Sequence, residues 1–369
     1  MKSMIGDAVK VAVLGGGHGC YAAAADLSEQ GHEVRLWRRS TSQLRAMLDR
    51  PALTLKDRSG ERTVTIARVC ADLEQAVDGA DVVLIPSPAH AQRDIATAMA
   101  PYLSDDQVVF LTPGTFGSFV MSEIVRECGN TSRISWAETG TLPWLARKHS
   151  ETSINISARA TRLPTGVYPA RDIDHAMGVL AEVFPSVERC GDALSGALMN
   201  AGPIIHPPLI LMNAGPLEHF PAWDIHNEGT QPSVRAVTTA LDEERIRMRE
   251  ALGYAAPHFP LADHYENDQW MYGDTSSHAS LVQSGDWREQ IDLHEHRYMR
   301  EDTALGLAFL VSVAEWAGVD APVTKGLLAV AGAVVGEDLS RGDRTFTALG
   351  LGDMSREQLQ EMLVAGRAS

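Results

Sequence analysis

Cysteine is scarce and scattered in this chain of 369 residues. Cys20, Cys70, Cys128 and Cys190 form no CxxC pair, which argues against a disulfide framework and a structural zinc, and fits a reducing cytoplasm. Long apolar runs are also missing. No stretch reaches the length of a membrane-spanning helix, and no charged segment followed by an apolar one opens the chain as a secretory signal would. Positive charge is in deficit: 32 Lys and Arg against 48 Asp and Glu leave a formal net charge of −16. That balance disfavours nucleic acid and anionic membrane as partners. An anionic ligand would need arginines concentrated locally against the global field.

What is present is a globular composition, 44% apolar and 22% charged, in a chain long enough for two domains. Residues 10–14 (Lys-Val-Ala-Val-Leu) read as a buried strand, followed by a glycine loop. Tyr21–Gln30 reads as an alanine-rich helix ended by Gly31, and Glu33–Trp37 as a second strand. The alternation continues with strands at 64–69, Asp81–Ile85 and Val108–Leu111 and helices at 72–79, 90–101 and 117–128. The expected fold is α/β. A Rossmann-type doubly wound parallel sheet over 1–187 is followed by an all-helical domain over 188–369. Helical periodicity marks 192–212, 234–253, 303–318 and 323–335; the stretch 254–296 reads as irregular, a lid or cleft wall.

Gly15-Gly16-Gly17-His18-Gly19 sits where a dinucleotide pyrophosphate is held, between a buried strand and a helix. Gly15 permits the tight turn, Gly17 the close approach of backbone, and the free N–H groups of the helix start hold phosphate. Cys20 stands at the third fingerprint position in place of glycine or alanine. At the end of the second strand there is no carboxylate for ribose hydroxyls. Arg38, Arg39 and Ser40 stand there instead, which favours NADP over NAD. Ser87 and Pro88, at the end of the most apolar strand, are expected to line the cofactor cleft.

Among 13 histidines His206 stands out by placement. It follows an apolar helix beginning near Asp192, with an expected kink at Gly202-Pro203 and an interruption at Pro207-Pro208, the kind of break that lines a cleft. His294-Glu295-His296 and the pair His258/His264 lack metal-ligand spacing, so no metal is expected.

Five segments together resemble the opine dehydrogenases, the NAD/NADP octopine/nopaline dehydrogenase type. They are Leu111-Thr112-Pro113-Gly114, the run from Glu138 to Trp144, the run from Asn200 to Pro207, Arg297-Tyr298-Met299-Arg300-Glu301-Asp302, and Arg344-Thr345-Phe346 through Leu351. The resemblance implies reduction of the imine formed between a 2-oxo acid and an amino acid. It makes His206 the acid/base group, suited by its pKa near neutrality, and Asp302 its orienting partner. Asp302 is also placed to cap the helix that begins at Thr303. Arg297 is the expected carboxylate clamp and Arg147 the second choice, with Glu138 and Thr141 on the substrate side.

Two other readings stand beside it. A dehydrogenase of the same plan acting on a 2-oxo acid or sugar phosphate without amine condensation is disfavoured because residues 192–232 carry no lysine. A non-catalytic NADP-binding sensor predicts a cofactor site without a titrating pair. The aromatics Trp223, Trp270 and Tyr272 suit either an apolar or aromatic amine partner or the core. The sequence leaves the oligomeric state open, with a homodimer among the options.

Overall fold

The structure, a computed structural model, describes residues 8–263, 272 and 276–367; His264 and Trp270 lie outside them. After β1 (Lys10–Leu14) and β2 (Glu33–Trp37) the chain leaves the main sheet for the hairpin β3 (Ala52–Asp57) and β4 (Gly60–Thr65). It returns through β5 (Arg68–Cys70), β6 (Val82–Ile85), β7 (Val108–Leu111) and β8 (Ser135–Thr139). A second hairpin, β9 (Trp144–Ser150) and β10 (Ser153–Arg159), precedes β11 (Leu163–Tyr168) and β12 (Val187–Asp192).

The main sheet has the order β12-β11-β8-β7-β6-β1-β2-β5. Its pairs are parallel except β11 against β8, so β11 and β12 run against the rest. In β1, Val11 and Val13 enter one core cluster and Ala12 and Leu14 the other. That alternation, with both faces buried, is why the strand reads as an unbroken apolar run.

The hairpins form a second sheet, β4-β3-β10-β9, laid over the helix His18–Glu29. The helix is therefore enclosed by two sheets, and Ala22 through Ala25 are all fully buried. A helix covered on every side favours small apolar side chains all round. Asp26, its buried carboxylate, accepts hydrogen bonds from Trp144 Nε1 at 2.7 Å and Arg159 Nε at 2.8 Å, pinning the second sheet to the helix. The strand expected at 64–69 is thus two strands in different sheets, β4 ending at Thr65 and β5 starting at Arg68.

Beyond Asp192 the chain is helical, with one correction to the all-helical expectation: the two-residue strands β13 (Trp223–Asp224) and β14 (Arg288–Glu289) pair antiparallel. The stretch 254–296 also contains the helix Ser276–Ser284. Helices Pro232–Ala251, Ala308–Ala317 and Pro322–Val335 pack around Gly202–Met212 and the π-helix Tyr298–Leu307. Among the described residues no helix is long and apolar enough to cross a membrane.

Candidate active site

The glycine loop opens where β1 ends. Gly15, at φ +130°, donates its N–H to the Trp37 carbonyl at 2.8 Å, tying the loop to the end of β2. A Cβ at Gly15 would lie 2.5 Å from Ser87 Oγ and 2.7 Å from Cys20 Sγ, so no larger residue fits there. Cys20 fills the third fingerprint position as a packing group. Its sulfur lies 3.7 Å from the Leu14 carbonyl, and burial pushes the thiol up to about 11. Gly17 begins the helix with no side-chain cap, and a Cβ on it would meet nothing within 4 Å. The first-turn N–H groups have no side-chain cap, and Gly17 leaves room beside them, as an anion site requires.

The end of β2 divides the three residues expected there. Arg38 folds back over the loop, its guanidinium carbon 2.5 Å from where a Gly16 Cβ would be, and its Nη1 is buried without a hydrogen-bond partner. Arg39 turns away instead. Its side chain is 85% exposed and pairs with Asp94 at 3.2 Å, which is the geometry of a weak surface ion pair. Ser40 is exposed and meets only the Ser42 hydroxyl, 3.1 Å away. Ser87 donates to the Leu14 carbonyl at 3.1 Å beside Gly15, and Pro88 leads into the turn Ala89–Ala91. The open helix start and the orphaned Arg38 donor fit a dinucleotide.

His18 faces the other way, into a cleft. Its Nδ1 accepts the Lys148 N–H at 2.8 Å, fixing β9 against the helix start, and burial followed by the Arg147 charge holds its imidazole down at about 4. Gly19 lets the wall of that cleft approach: a Cβ there would lie 2.5 Å from Leu142 Cδ1.

His206 enters the cleft from the helix Gly202–Met212. The break falls earlier than expected, at 198–201, between Ala193–Ala197 and Gly202. Asn200 holds it: Nδ2 donates to Thr115 Oγ1 at 2.9 Å, and Oδ1 accepts the Gly202 N–H at 3.0 Å. Pro203 sits in the first turn, where its missing N–H costs nothing. Pro207 and Pro208 do not interrupt the helix; both are buried inside it, and packing carries the chain through to Met212. Asp302 is not a helix cap either, since it lies within the π-helix Tyr298–Leu307. Such wide turns recur at functional sites because they re-aim side chains.

His206 Nδ1 and Asp302 Oδ2 are 2.8 Å apart. Gly202 makes the approach possible, for a Cβ there would lie 2.1 Å from Asp302 Oδ1. Burial disfavours charge on both partners. It lowers His206 well below its ordinary value and pushes the Asp302 carboxyl up to about 7, with Arg297 pulling it back. Nδ1 is engaged by Asp302, and His206 Nε2 is the nitrogen left for a ligand.

Around this pair the structure brings together expected residues, Arg147, Arg297 and Thr141, and others that the sequence did not single out, Tyr298, His226 and Trp287. The Tyr298 ring stacks on His206, and its hydroxyl shares a hydrogen bond with buried His226 Nε2 at 2.7 Å. Trp287 packs edge-on against His226 and carries the Arg147 guanidinium 3.9 Å over its ring. Arg147 also pairs with Glu289 at 2.8 Å. Arg297 lies 3.6 Å from Glu301 with half of its side chain open. Thr141 lines the same cleft, its hydroxyl 3.5 Å from that of Tyr272.

Glu138 is a correction. It is fully buried on β8, away from the cleft, where it receives the Phe116 N–H at 2.8 Å and bonds from Ser118, anchoring the loop at Gly114. Burial pushes it up to about 7. Among the described residues no three His, Cys, Asp or Glu side chains are grouped to hold a metal.

Comparison with known proteins reproduces this two-part layout. A family model described as NAD/NADP octopine/nopaline dehydrogenase, alpha-helical domain, matches residues 189–335. One for the NAD-dependent glycerol-3-phosphate dehydrogenase N-terminus matches 10–136. An opine dehydrogenase of Arthrobacter sp. (strain 1C) is 27% identical over 351 residues, covering 93% of this chain and 96% of that protein. Octopine dehydrogenase solved with NADH and agmatine shares the fold at a TM-score of 0.68 and 20% identity, with 98% of this chain and 99% of the other covered. Yersinopine dehydrogenase with NADP+ shares it at 0.64 and 17%, with 97% and 98% covered.

Proposed function

Since the chain belongs to the opine dehydrogenase family, we propose that it reduces the imine of a 2-oxo acid and an amino acid to a secondary-amine dicarboxylic acid, and catalyses the reverse oxidation. It is an NAD(P)-dependent oxidoreductase acting on CH–NH bonds. The observation that carries the reading is the buried His206–Asp302 pair, 2.8 Å apart, in a cleft that also holds Arg147 and Arg297 and that starts at His18 on the glycine loop.

The glycine loop, Arg38, Ser87 and Pro88 would hold the cofactor. When bound, its nicotinamide supplies the hydride. The substrate imine carries two carboxylates, and the cleft offers two guanidiniums suited to bind them in forked pairs. Arg297 is the open one; Arg147 is held in plane by Trp287. As the imine carbon receives hydride, the C=N electron pair moves onto nitrogen, which takes a proton from His206 Nε2, the imidazole having first taken one up from solvent, with Asp302 on Nδ1 balancing its charge. In the reverse direction Nε2 accepts it. Asp302 keeps its bond to Nδ1 throughout and so fixes which nitrogen faces the substrate. Thr141 stands on the substrate side. The absence of a carboxylate at the end of β2, with Arg38 in its place, favours NADP.

A matrix of 2-oxo acids against amino acids, monitored by NADPH loss with NADH in parallel, tests this. The expected result is turnover only when both substrates are present, faster with NADPH, and abolished by His206→Ala. Turnover with an oxo acid alone would instead identify a dehydrogenase without amine condensation. No turnover with any pair, despite cofactor binding, would identify a sensor.

A further inference from the structure

The residues that discriminate NADP from NAD extend beyond the end of β2. Three groups from three elements adjoin one another, and one of them covers Gly16. Arg38 comes from the end of β2, Tyr21 from the first turn of the helix His18–Glu29, and Lys148 from β9 in the second sheet. Arg38 lies against Gly16, and the Lys148 ammonium stands 4.0 Å over the Tyr21 ring. The bond from Lys148 N–H to His18 Nδ1, 2.8 Å, sets this part of β9 on the helix start.

The cluster is electrostatically incomplete. Tyr21 is wholly buried with its hydroxyl against Arg38, whose Nη2 donates to Gln43 Oε1; neither the Tyr21 hydroxyl nor Arg38 Nη1 meets any further group. Orphaned buried donors are costly and call for an acceptor. Lys148 and Arg38 both adjoin Tyr21, and burial, then the Arg38 charge, lowers Lys148. The acid within range of Lys148 is Glu151, which is exposed on the turn between β9 and β10. In a chain of net charge −16 such a cation pair is a local exception. The pyrophosphate has its own site at the uncapped helix start, whereas this cluster adjoins the end of β2, where a Rossmann fold places the adenosine ribose.

We propose that Tyr21 and Lys148 act with Arg38 as the recognition site for the 2′-phosphate of NADP, replacing Arg39 and Ser40 in that role. The proposal rests on the dinucleotide reading of the glycine loop and on no assumption about the substrates. A dianion there would accept from the Tyr21 hydroxyl and Arg38 Nη1 and balance the charges of Arg38 and Lys148.

Calorimetric titration of the full chain with 2′,5′-ADP, ADP and inorganic phosphate tests it without turnover. The expected result is 2′,5′-ADP binding at least about tenfold tighter than ADP, with inorganic phosphate weaker than either. Lys148→Met should remove about tenfold of that preference, and Tyr21→Phe about threefold, mainly by weakening 2′,5′-ADP. Thermal melts of both variants establish that they are folded. Equal binding of 2′,5′-ADP and ADP by the wild type overturns this proposal alone, as do folded variants that weaken both ligands alike. Binding of neither nucleotide overturns the dinucleotide reading with it.

Discussion

The ring of Tyr298 lies flat on the imidazole of His206, centroids 3.7 Å apart and planes 11° from parallel. With Asp302 on Nδ1, the stack leaves His206 one orientation, and it holds Nε2 toward the cleft. Tyr298→Leu removes the ring, and a lost aromatic pair of about 1 kcal/mol corresponds to roughly a fivefold fall in kcat, with KM little changed. Tyr298→Phe keeps the stack and loses only the bond to His226, so its kcat should fall less than about threefold. Equal losses in the two variants would show that the hydroxyl, not the stack, matters.

Asp302→Asn keeps the shape of the pair and removes the carboxylate that fixes the tautomer. An amide that donates to Nδ1 forces the proton onto Nε2, the wrong state for accepting one. The expected cost is about a hundredfold or more in kcat/KM for opine oxidation, the direction in which Nε2 accepts the proton, in a variant with an unchanged melting profile. Wild-type kcat/KM in a folded Asp302→Asn protein would remove Asp302 from the mechanism.

The parts legible in the sequence are those with a one-dimensional signature. β1, β6 and β7 are short apolar runs, β2 alternates apolar and charged residues just past the glycine that ends the first helix, and the glycine loop follows from its position after β1. The second sheet was hidden. Strands such as Ser153–Arg159 bury alternate residues only, so their composition is that of a polar loop, and what they cover is a helix far back in the chain. The alanines at 22–25 were the visible trace of that cover. In the site, His206 and Asp302 sit in motif segments, but Tyr298 was passed over within its own segment. His226 and Trp287 come from stretches that carry no period or motif and reach His206 and Arg147 only through the fold. Glu138 misled because a motif position says nothing about which side of a strand a carboxylate takes.

Gly202→Ala tests whether close approach of the helix to Asp302 is required. Alanine suits a helix start as well as glycine does, so on propensity alone the change is harmless. The new methyl, however, would sit 2.1 Å from Asp302 Oδ1 and must displace it. The expected outcome is a loss of more than about tenfold in kcat, with stability lowered by about 1–3 kcal/mol as in other overpacked sites, read from denaturant midpoints. Full activity would mean that the π-helix yields freely.

The pH dependence of stability tests Glu138. Its folded value, about 7, lies above its ordinary 4.5, so the folded state keeps a proton that the unfolded chain releases between these values. Stability is therefore lost as pH rises from 4.5 to 7 and stays at the lower level above that. Asp302 acts in the same direction, while His206, His18 and His296, lowered by burial, act in the opposite one. The difference between proteins isolates Glu138. Glu138→Gln should gain up to about 3 kcal/mol relative to wild type between pH 5 and pH 8, measured by chemical denaturation. Parallel profiles for the two proteins would show that Glu138 is ionised throughout.

Arg147 and Arg297 differ in what holds them, and conservative replacement should separate their roles. Arg147 is stacked on Trp287 and paired with Glu289, and its Nε is buried without a partner. Lysine there forfeits the stack, the planar fork and the pre-set direction together. Arg297 is half open, with Glu301 3.6 Å away, so a lysine can follow a carboxylate but cannot grip it through two parallel bonds. Each change to lysine should raise KM about tenfold or more for one carboxylate substrate while kcat stays within about threefold, because uniform binding is what is lost. If the two arginines clamp different carboxylates, Arg147→Lys and Arg297→Lys raise KM for different substrates of the pair. The same substrate affected in both variants would mean that they share one carboxylate, and the second would have to be held elsewhere in the cleft.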